Sequence, residues 1–381
     1  MTIGAELELI PLHAETRLPL PIESHATACS VDILRRTGLR NGWSEHAVEL
    51  DQPFWELPGG ARISFEPGGQ IEVSSAPHAT ASSLIAELTD ITRMLFDAFE
   101  RHGSVLETRG VDPHNSIERT PLQLHRERYE SMTRYFESIG PSGIRMMRQT
   151  ASVQINIEPG DNPLERWALL NRMAPMLVAM FSNSRRYAGA DTGRASYRAH
   201  LWRTLDPSRT GLSINPDAIE SYADFALGAG WMFECTADGS YPSFGAALEN
   251  GAKAEDWEKH VSTLFPEIRP RHYFEVRSPD MVDLPWIAAP IAMIAGVCYD
   301  SATAGAVAEL LADFDSKTLV NAGRRGMADE QIASVAGDFV DLAIGGCEAL
   351  GPEYIGSDHL DIVREFADRY PANGRSPSDD S

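Results

Sequence analysis

The chain has 381 residues, and its 33 Lys and Arg against 55 Asp and Glu give a formal net charge of −22. Binding to a nucleic-acid backbone or an anionic membrane surface needs excess cationic side chains, so this charge disfavours both partner classes. Hydrophobic residues make up 43% of the chain, enough to bury a sizeable core. We predict one domain over residues 1–370 and a disordered tail over 371–381, because PANGRSPSDDS is polar and rich in Ser, Pro and Asp.

Cysteine usage and the apolar segments indicate the compartment. The four cysteines are far apart and form no CxxC pair, so neither a disulfide framework nor a zinc site is expected. The chain reaches Glu6 without a basic start or a long apolar stretch, which argues against a signal peptide. The longest apolar run, 286–299, is too short to span a bilayer and predicts a buried helix. We therefore expect a cytoplasmic protein.

Several segments alternate apolar and polar residues with the period of two that is typical of half-buried strands. In chain order these predicted strands cover residues 5–9, 62–66, 70–74, 150–158 and 272–278. The second and third form a hairpin around Pro67-Gly68-Gly69, since such residues favour a turn. Helical spacing of apolar residues marks the segments 84–99, 167–181, 285–299, 304–314 and 329–350. The pattern predicts an α+β fold in which a mostly antiparallel sheet packs helices on its apolar face.

The polar sides of these strands carry carboxylates and contain no lysine. The acidic residues are Glu6, Glu8, Glu66, Glu72 and Glu275. A solvated sheet face explains any single strand, but like charges that converge on one sheet raise each other's pKa unless a cation neutralises them. Carboxylate oxygens suit Mg²⁺, which commonly bridges protein carboxylates to nucleotide phosphates. Taken together, the strands therefore predict a magnesium and ATP site.

The usual nucleotide and hydrolase motifs are missing from the sequence. It contains no GxxxxGK[ST] loop, no GxGxxG after a strand, no HExxH and no GxSxG. If the chain uses ATP, we expect metal ions and arginines to hold the phosphates in place of a glycine-rich loop.

Four segments resemble the glutamate–cysteine ligase family, in its second, plant- and bacterial-type branch. They are GAELEL (4–9), FEPGGQIEVSS (65–75), MMRQTASVQINIE (146–158) and RHYFEVRSPD (271–280). Residues 193–211 and 260–271 also match, and the similarity is greatest to the ergothioneine-pathway ligases of actinobacteria. The order EPGGQxE, TASVQxN and EVR is highly specific, whereas no one of the three motifs is decisive alone.

This resemblance implies a glutamine-synthetase-like catalytic fold whose curved antiparallel sheet forms the floor of the active site. It also implies a reaction in which ATP, L-glutamate and L-cysteine give γ-glutamylcysteine, ADP and phosphate. A carboxylate is a poor acyl donor, so we expect the reaction to pass through γ-glutamyl phosphate.

The resemblance further implies roles for individual residues. The metal ligands would be the five glutamates named above, holding Mg²⁺, or Mn²⁺ as a substitute, around ATP, with Glu72 also counted as catalytic. Arg277 would stabilise the transferring phosphoryl group, and Gln154 and Asn156 would orient a substrate. Arg198 is the first candidate for the α-carboxylate of glutamate, because Arg pairs with carboxylates bidentately. Its competitors are Arg148, Arg194 and Arg203.

Other functions remain open at this point. The acceptor pocket has no recognisable motif, so a γ-glutamyl ligase of the same fold with another amine acceptor is the nearest alternative. A non-catalytic ligand-binding relative and a phosphagen-type kinase are the others. The sequence leaves both a monomer and a homodimer open.

Overall fold

The computed structural model describes residues 1–47, 52–212 and 217–380. The strands are β1 (Ile3–His13), β2 (Ser44–His46), β3 (Phe54–Glu56), β4 (Arg62–Phe65), β5 (Ile71–Ser74), β6 (Ser104–Glu107), β7 (Val153–Ile157), β8 (Arg186–Tyr187), β9 (Ala190–Asp191), β10 (Thr210–Gly211), β11 (Phe265–Pro266), β12 (Ile268–Pro270) and β13 (Phe274–Val276).

The α-helices in the described part of the chain are α1 (Ser30–Asn41), α2 (Ala81–Glu100), α3 (Glu127–Ile139), α4 (Pro141–Gln149), α5 (Pro163–Met180), α6 (Tyr197–Leu205), α7 (Ala218–Gly228), α8 (Phe244–Glu249), α9 (Asp256–Val261), α10 (Ala288–Tyr299), α11 (Ser301–Leu310), α12 (Ser316–Arg325), α13 (Glu330–Leu350) and α14 (Ser357–Arg369).

A nine-stranded sheet with antiparallel pairing organises the molecule. Its strand order is β12-β13-β7-β1-β5-β4-β3-β2, and β6 pairs with the far end of β1. The long β1 is therefore central and pairs with β5 on one side and β7 on the other. This confirms the predicted α+β class and the hairpin, which is β4 and β5. The predicted strands 150–158 and 272–278 are shorter in the structure, because only their central residues pair.

The two faces of the sheet differ as the alternation predicts. Apolar side chains of the central strands, such as Leu7, Val73 and Ile155, are fully buried. Helix α2 packs against β1 and α10 packs against β7, so this face removes apolar surface from water. Helix α10 confirms the predicted buried helix, since nearly all of its residues are inaccessible.

Within the described residues, no single helix has the length and apolar character needed to cross a membrane. One pair of helices, α10 and α11, passes such a test together, but the two are bent by 101° where they meet.

The turn between β4 and β5 docks the hairpin onto α4. A Cβ at Gly68 would lie 2.0 Å from the backbone oxygen of Arg148, so only glycine allows this approach. Gly69 has a φ of +93°, which also favours glycine. The side chain of Gln70 accepts from the Gly68 amide and donates to the Thr150 carbonyl, each at 2.9 Å. The acids on either side of this turn are thereby fixed beside β1.

The prediction of a disordered tail over 371–381 was wrong for the residues that the structure describes. Two short 3₁₀ turns cover Pro371–Asn373 and Pro377–Asp380. Ser378 is 1% exposed and donates to the Ala195 carbonyl. Polar composition was misleading because these side chains find specific partners inside the protein. Ser381 lies outside the described residues, and the assignment of 1–370 to a single domain stays a prediction.

Candidate active site

A cavity of about 260 Å³ lies over the polar face of the sheet. Acidic side chains from β1, the β4–β5 hairpin and β13 form its floor, and arginines and apolar residues form its walls. All five predicted acids line the cavity, and the sheet register brings several of them together. Glu8 pairs directly with Glu72, and Glu6 lies opposite Gln154 on the other neighbouring strand.

Three of the floor carboxylates, those of Glu6, Glu8 and Glu66, hold their protons more tightly than free glutamate does. Burial, followed by the charges of Glu72 and Glu275, raises the pKa of Glu6 to about 8. Burial is also the main reason why the pKa of Glu8 rises to about 7, although Arg198 opposes that rise. The pKa of Glu66 is well above its ordinary value because of burial and of Glu72. The predicted mutual repulsion is thus confirmed for these three residues.

Hydroxyl and amide groups fix the orientation of two floor carboxylates. Glu72 Oε1 accepts from the hydroxyls of Ser64 and Ser74, at 3.2 and 3.0 Å. Glu8 accepts from Ser152 Oγ at 2.8 Å and from Gln154 Nε2 at 3.2 Å. These donors are neutral, so they aim the carboxylates without cancelling their charge. A carboxylate that is buried, oriented and unneutralised is suited to a cation.

The acids are distributed along the floor. Among the described residues, no three His, Cys, Asp or Glu side chains are arranged around one point where an ion would bind. This distribution agrees with the chemistry of Mg²⁺, which usually takes one or two carboxylates and completes its shell with water and substrate phosphates. The donor set therefore fits Mg²⁺ shared with a nucleotide and does not fit a closed site made of protein ligands alone.

Glu275 differs from the other four acids. Its carboxylate contacts Arg269 Nη1 at 3.1 Å, Arg271 Nε at 3.2 Å and Arg277 Nε at 3.2 Å. Burial raises its pKa, but the three arginines outweigh burial and hold the pKa below the ordinary value. The expectation that every acid on this face has a raised pKa was therefore wrong for Glu275. Its role as a metal ligand stays a prediction.

Arg277 lines the cavity, as predicted. Its Nε contacts Gln154 Oε1 at 3.2 Å as well as Glu275. Its Nη1 is buried and, in the described part of the chain, has no hydrogen-bond partner. A buried guanidinium N–H without a partner is costly, and an anionic substrate group would satisfy it.

The two predicted amides occupy different positions. Gln154 lines the cavity and bridges Glu8 and Arg277 through its two ends. Asn156 lies opposite both Gly4 and Glu275, and its side chain is hydrogen-bonded to Glu6. Both amides therefore lie where they can orient the acids that surround them.

The substrate-binding predictions for Arg198 and Arg148 need correction, because neither side chain lines the cavity. Arg198 is 3% exposed and donates to the carbonyls of Arg277 and Ser278, at 2.8 and 3.3 Å. The backbone carbonyl of Arg148 lies against the β4–β5 turn at Gly68. The competing Arg203 is occupied as well, because its Nη2 lies 2.7 Å from Glu267 Oε1.

Other arginines that sequence reasoning missed form the wall. Arg269 lies on β12 directly opposite Glu275, and Arg271 lies in the turn between β12 and β13, so the pairing of these two strands brings both arginines to the cavity. Arg128 comes from α3, a helix that the apolar pattern did not reveal. Its Nη2 donates to the Ser262 carbonyl at 2.7 Å, and its buried Nε has no partner among the described residues.

One part of the cavity wall is apolar. It is formed by Met132 of α3, Met146 and Met147 of α4, Trp202 of α6 and Phe265 of β11. Methionine and aromatic side chains make favourable contacts with soft, polarisable groups such as sulfur.

An antiparallel sheet with an acidic floor that faces guanidinium groups is suited to activating a carboxylate with a nucleotide. Together with the helices on its apolar face, it defines a ligase site of the glutamine-synthetase-like type. The family model described as glutamate–cysteine ligase family 2 matches residues 2–380. The chain belongs to this family, which confirms the resemblance found in the sequence.

Individual relatives agree with this assignment. Glutamate–cysteine ligase EgtA of Mycolicibacterium smegmatis is 31% identical, over 96% of this chain and 86% of the relative. The chloroplastic glutamate–cysteine ligase of Brassica juncea is 28% identical, over 93% of this chain and 73% of the relative. Among solved structures, glutamate–cysteine ligase of Francisella tularensis in complex with AMP matches with a TM-score of 0.55 and 12% identity. That match covers 99% of this chain and 83% of the other, and it shows the shared fold.

Proposed function

We propose that this protein joins L-glutamate to L-cysteine with ATP, releasing γ-glutamylcysteine, ADP and phosphate through a γ-glutamyl phosphate intermediate. The observation that carries the proposal is the single cavity in which unneutralised carboxylates face arginines, in a chain of glutamate–cysteine ligase family 2. From the charge and the cysteine pattern we also infer a cytoplasmic location and no nucleic-acid or membrane partner. Oligomeric state stays open between monomer and homodimer.

The floor acids are the proposed holders of Mg²⁺, with Mn²⁺ as a substitute. The pKa is raised for Glu6, Glu8 and Glu66, and a neutral hydroxyl donor orients Glu72. A bound cation would relieve the repulsion among these four carboxylates. The bound ions would neutralise charge on the ATP phosphates, which is the main demand in phosphoryl transfer. Glu275 joins this set only if a substrate draws its arginines away.

Arginines are the proposed partners of the anionic substrate groups. Arg277 lines the cavity and has a buried Nη1 with no hydrogen-bond partner among the described residues, and we expect this side chain to contact the transferring phosphoryl group. Arg128 takes the role first predicted for Arg198, because Arg128 lines the cavity and Arg198 does not. A guanidinium pairs well with the α-carboxylate of glutamate.

The chemistry follows in two displacements. A γ-carboxylate oxygen of glutamate attacks the terminal phosphorus of ATP, and the bond from phosphorus to the ADP oxygen breaks. The amine of cysteine then attacks the acyl carbon, loses a proton, and phosphate leaves. Arg277 stabilises charge on the phosphoryl oxygens in both steps, and enclosure in the cavity protects the acyl phosphate from water.

Cysteine is the proposed acceptor because part of the wall is apolar and rich in sulfur and aromatic groups. Met132, Met146 and Met147 suit a small thiol side chain better than a charged one. No separate observation favours another amine, but the acceptor panel described below tests that alternative directly.

The test is phosphate release by purified protein with ATP, glutamate and Mg²⁺ while the amine is varied. We expect cysteine to give the highest kcat/KM, and hydroxylamine without cysteine to give γ-glutamyl hydroxamate. Glu72→Gln, purified by the same procedure, serves as the inactive control. Release of pyrophosphate and AMP would overturn the acyl-phosphate mechanism. A higher kcat/KM with another amine would overturn the choice of cysteine alone.

A further inference from the structure

Arg198 lies behind the cavity, where it holds the backbone of Arg277 in place. Its two Nη atoms donate to the carbonyls of Arg277 and Ser278. Its guanidinium carbon lies 4.4 Å from the centre of the Trp202 ring, one turn along α6. An arginine that uses its fork on two successive carbonyls fixes the path of that segment more firmly than one ordinary hydrogen bond does.

A buried carboxylate holds Arg198 from the other side. Asp280 is 2% exposed, and its Oδ1 lies 3.6 Å from Arg198 Nη1. The Asp280 carboxylate accepts from the backbone N–H of Asn183 at 2.8 Å, from Ser184 Oγ at 2.6 Å and from Ser196 Oγ at 3.0 Å. Removing a member of such a buried, hydrogen-bonded group leaves its partners unsatisfied.

The segment Arg375–Asp380 closes this network from outside. Ser378 donates its backbone N–H to the Ser182 carbonyl at 2.9 Å, and its Oγ accepts from the Ser184 amide at 3.1 Å. The same hydroxyl donates to the carbonyl of Ala195, directly before the N-cap of α6. Ser378 therefore ties together the two stretches that supply the hydroxyl partners of Asp280.

The outer end of this segment is also anchored. Asp380 accepts from Arg369 at 2.8 Å, from Arg375 at 2.7 Å and from Tyr370 at 3.0 Å. Its side chain is partly accessible, so these contacts fix the segment in place without forming part of the buried network.

We propose that the segment Arg375–Asp380 and the Asp280–Arg198 pair are positioning elements for Arg277. The contacts run from Ser378 through hydrogen bonds to Ser184 and Asp280, then through the 3.6 Å ion pair between Asp280 and Arg198, and from there by a hydrogen bond to the backbone of Arg277. None of these groups lines the cavity, so their effect is on the placement of the Arg277 guanidinium. A misplacement of about 1 Å is enough to cost about 10²-fold in rate. The inference rests on the proposed function, because it uses the role assigned there to Arg277.

The test compares Ser378→Ala and Arg198→Lys with the wild type. We expect kcat for phosphate release to fall about tenfold in Ser378→Ala and further in Arg198→Lys, while the KM for glutamate stays within about twofold. Ser378→Thr keeps the hydroxyl and is expected to recover most of kcat. The matched control is Ser82→Ala, which removes a hydrogen bond of 2.7 Å between α2 and the start of α14, away from the cavity.

A second readout does not depend on activity. Hydrogen exchange in the peptide that contains Arg277 is expected to be faster in Ser378→Ala than in Ser82→Ala, since the Arg277 amide donates to Glu267 at 2.9 Å. Equal exchange in the two variants would overturn the inference. So would a wild-type kcat in Ser378→Ala, or an Arg198→Lys variant that changes only the KM for glutamate. Failure of the wild type itself to release phosphate would instead contradict the proposed function.

Discussion

Glu6→Gln is expected to weaken the pH dependence of stability that the acidic floor gives to the metal-free protein. The pKa of Glu6 is about 8 in the folded chain, against an ordinary value of 4.5. At a pH between these two pKa values, the Glu6 carboxyl has lost its proton in the unfolded chain but keeps it in the folded chain. The free energy of unfolding therefore falls as the pH rises from about 4.5 to about 8. The amide of Gln resembles the protonated acid and removes this loss.

The size of the effect follows from the same two values. The gap between 4.5 and about 8 corresponds to a ceiling of about 5 kcal/mol in the free energy of unfolding. Water in the cavity reaches the half-buried carboxylate and screens it, so we expect about 2 kcal/mol. For a chain of 381 residues that corresponds to a rise in Tm of roughly 2–3 °C at pH 8, with almost no change at pH 4.5.

Thermal unfolding in EDTA at pH 4.5 and pH 8 measures this difference. Glu365→Gln is the matched control, because Glu365 is exposed on α14 and far from the floor. Adding Mg²⁺ with ADP should raise the Tm of the wild type more than that of Glu6→Gln, since the variant lacks a proposed ligand. The reasoning is refuted if Glu6→Gln has the same effect on Tm at both pH values, or lowers Tm at pH 8.

Four further outcomes are expected. Glu72→Gln should lower kcat by orders of magnitude while circular dichroism stays unchanged, because Ile71 and Val73 hold the strand; near-normal turnover would remove its assigned role. Phosphate release should require Mg²⁺, with Mn²⁺ partly effective and a zinc-specific chelator without effect; full activity without either ion would contradict this. Arg277→Ala should suppress hydroxamate formation more than it weakens glutamate binding in calorimetry. Arg209→Met should destabilise the protein by about 3–5 kcal/mol in denaturant unfolding, because it leaves Asp206 buried without its cation.

Alternation of period two was sufficient to predict the central sheet and its polar face. Glu6 and Glu8 on β1, and Glu72 on β5, lie where the pattern placed them. Strand lengths were less accurate, because pairing with a neighbour ends a strand and the sequence does not show where that neighbour stops. Helix α3 was also missed. It carries Arg128 into the site, but neither the apolar pattern nor a functional motif marks it in the sequence.

The tail shows why composition alone was a poor guide. Residues 371–381 are polar enough to resemble a disordered segment, and disorder is the usual result when apolar burial is insufficient. In the structure, Ser378 is bound by the backbone amide of Ser184 and the carbonyl of Ala195, which lie far away in sequence. Such partners become adjacent only after the sheet and helices have formed.

Arg198 and Glu275 share one lesson about charged residues in a predicted site. Sequence indicates that an arginine will find a carboxylate, but the folded chain decides which one. Arg198 pairs with the buried Asp280 and not with a substrate. Glu275 is held by three arginines, although the alternation had grouped it with the metal-binding acids. Alternation predicts the face of the sheet on which a side chain lies. It does not predict which charged side chains approach that face from β12 and α6, two elements that the pattern did not reveal. A guanidinium that lies behind the cavity can position other groups, whereas Arg277, which lines the cavity and has a buried Nη1 without a hydrogen-bond partner among the described residues, remains able to bind an anion.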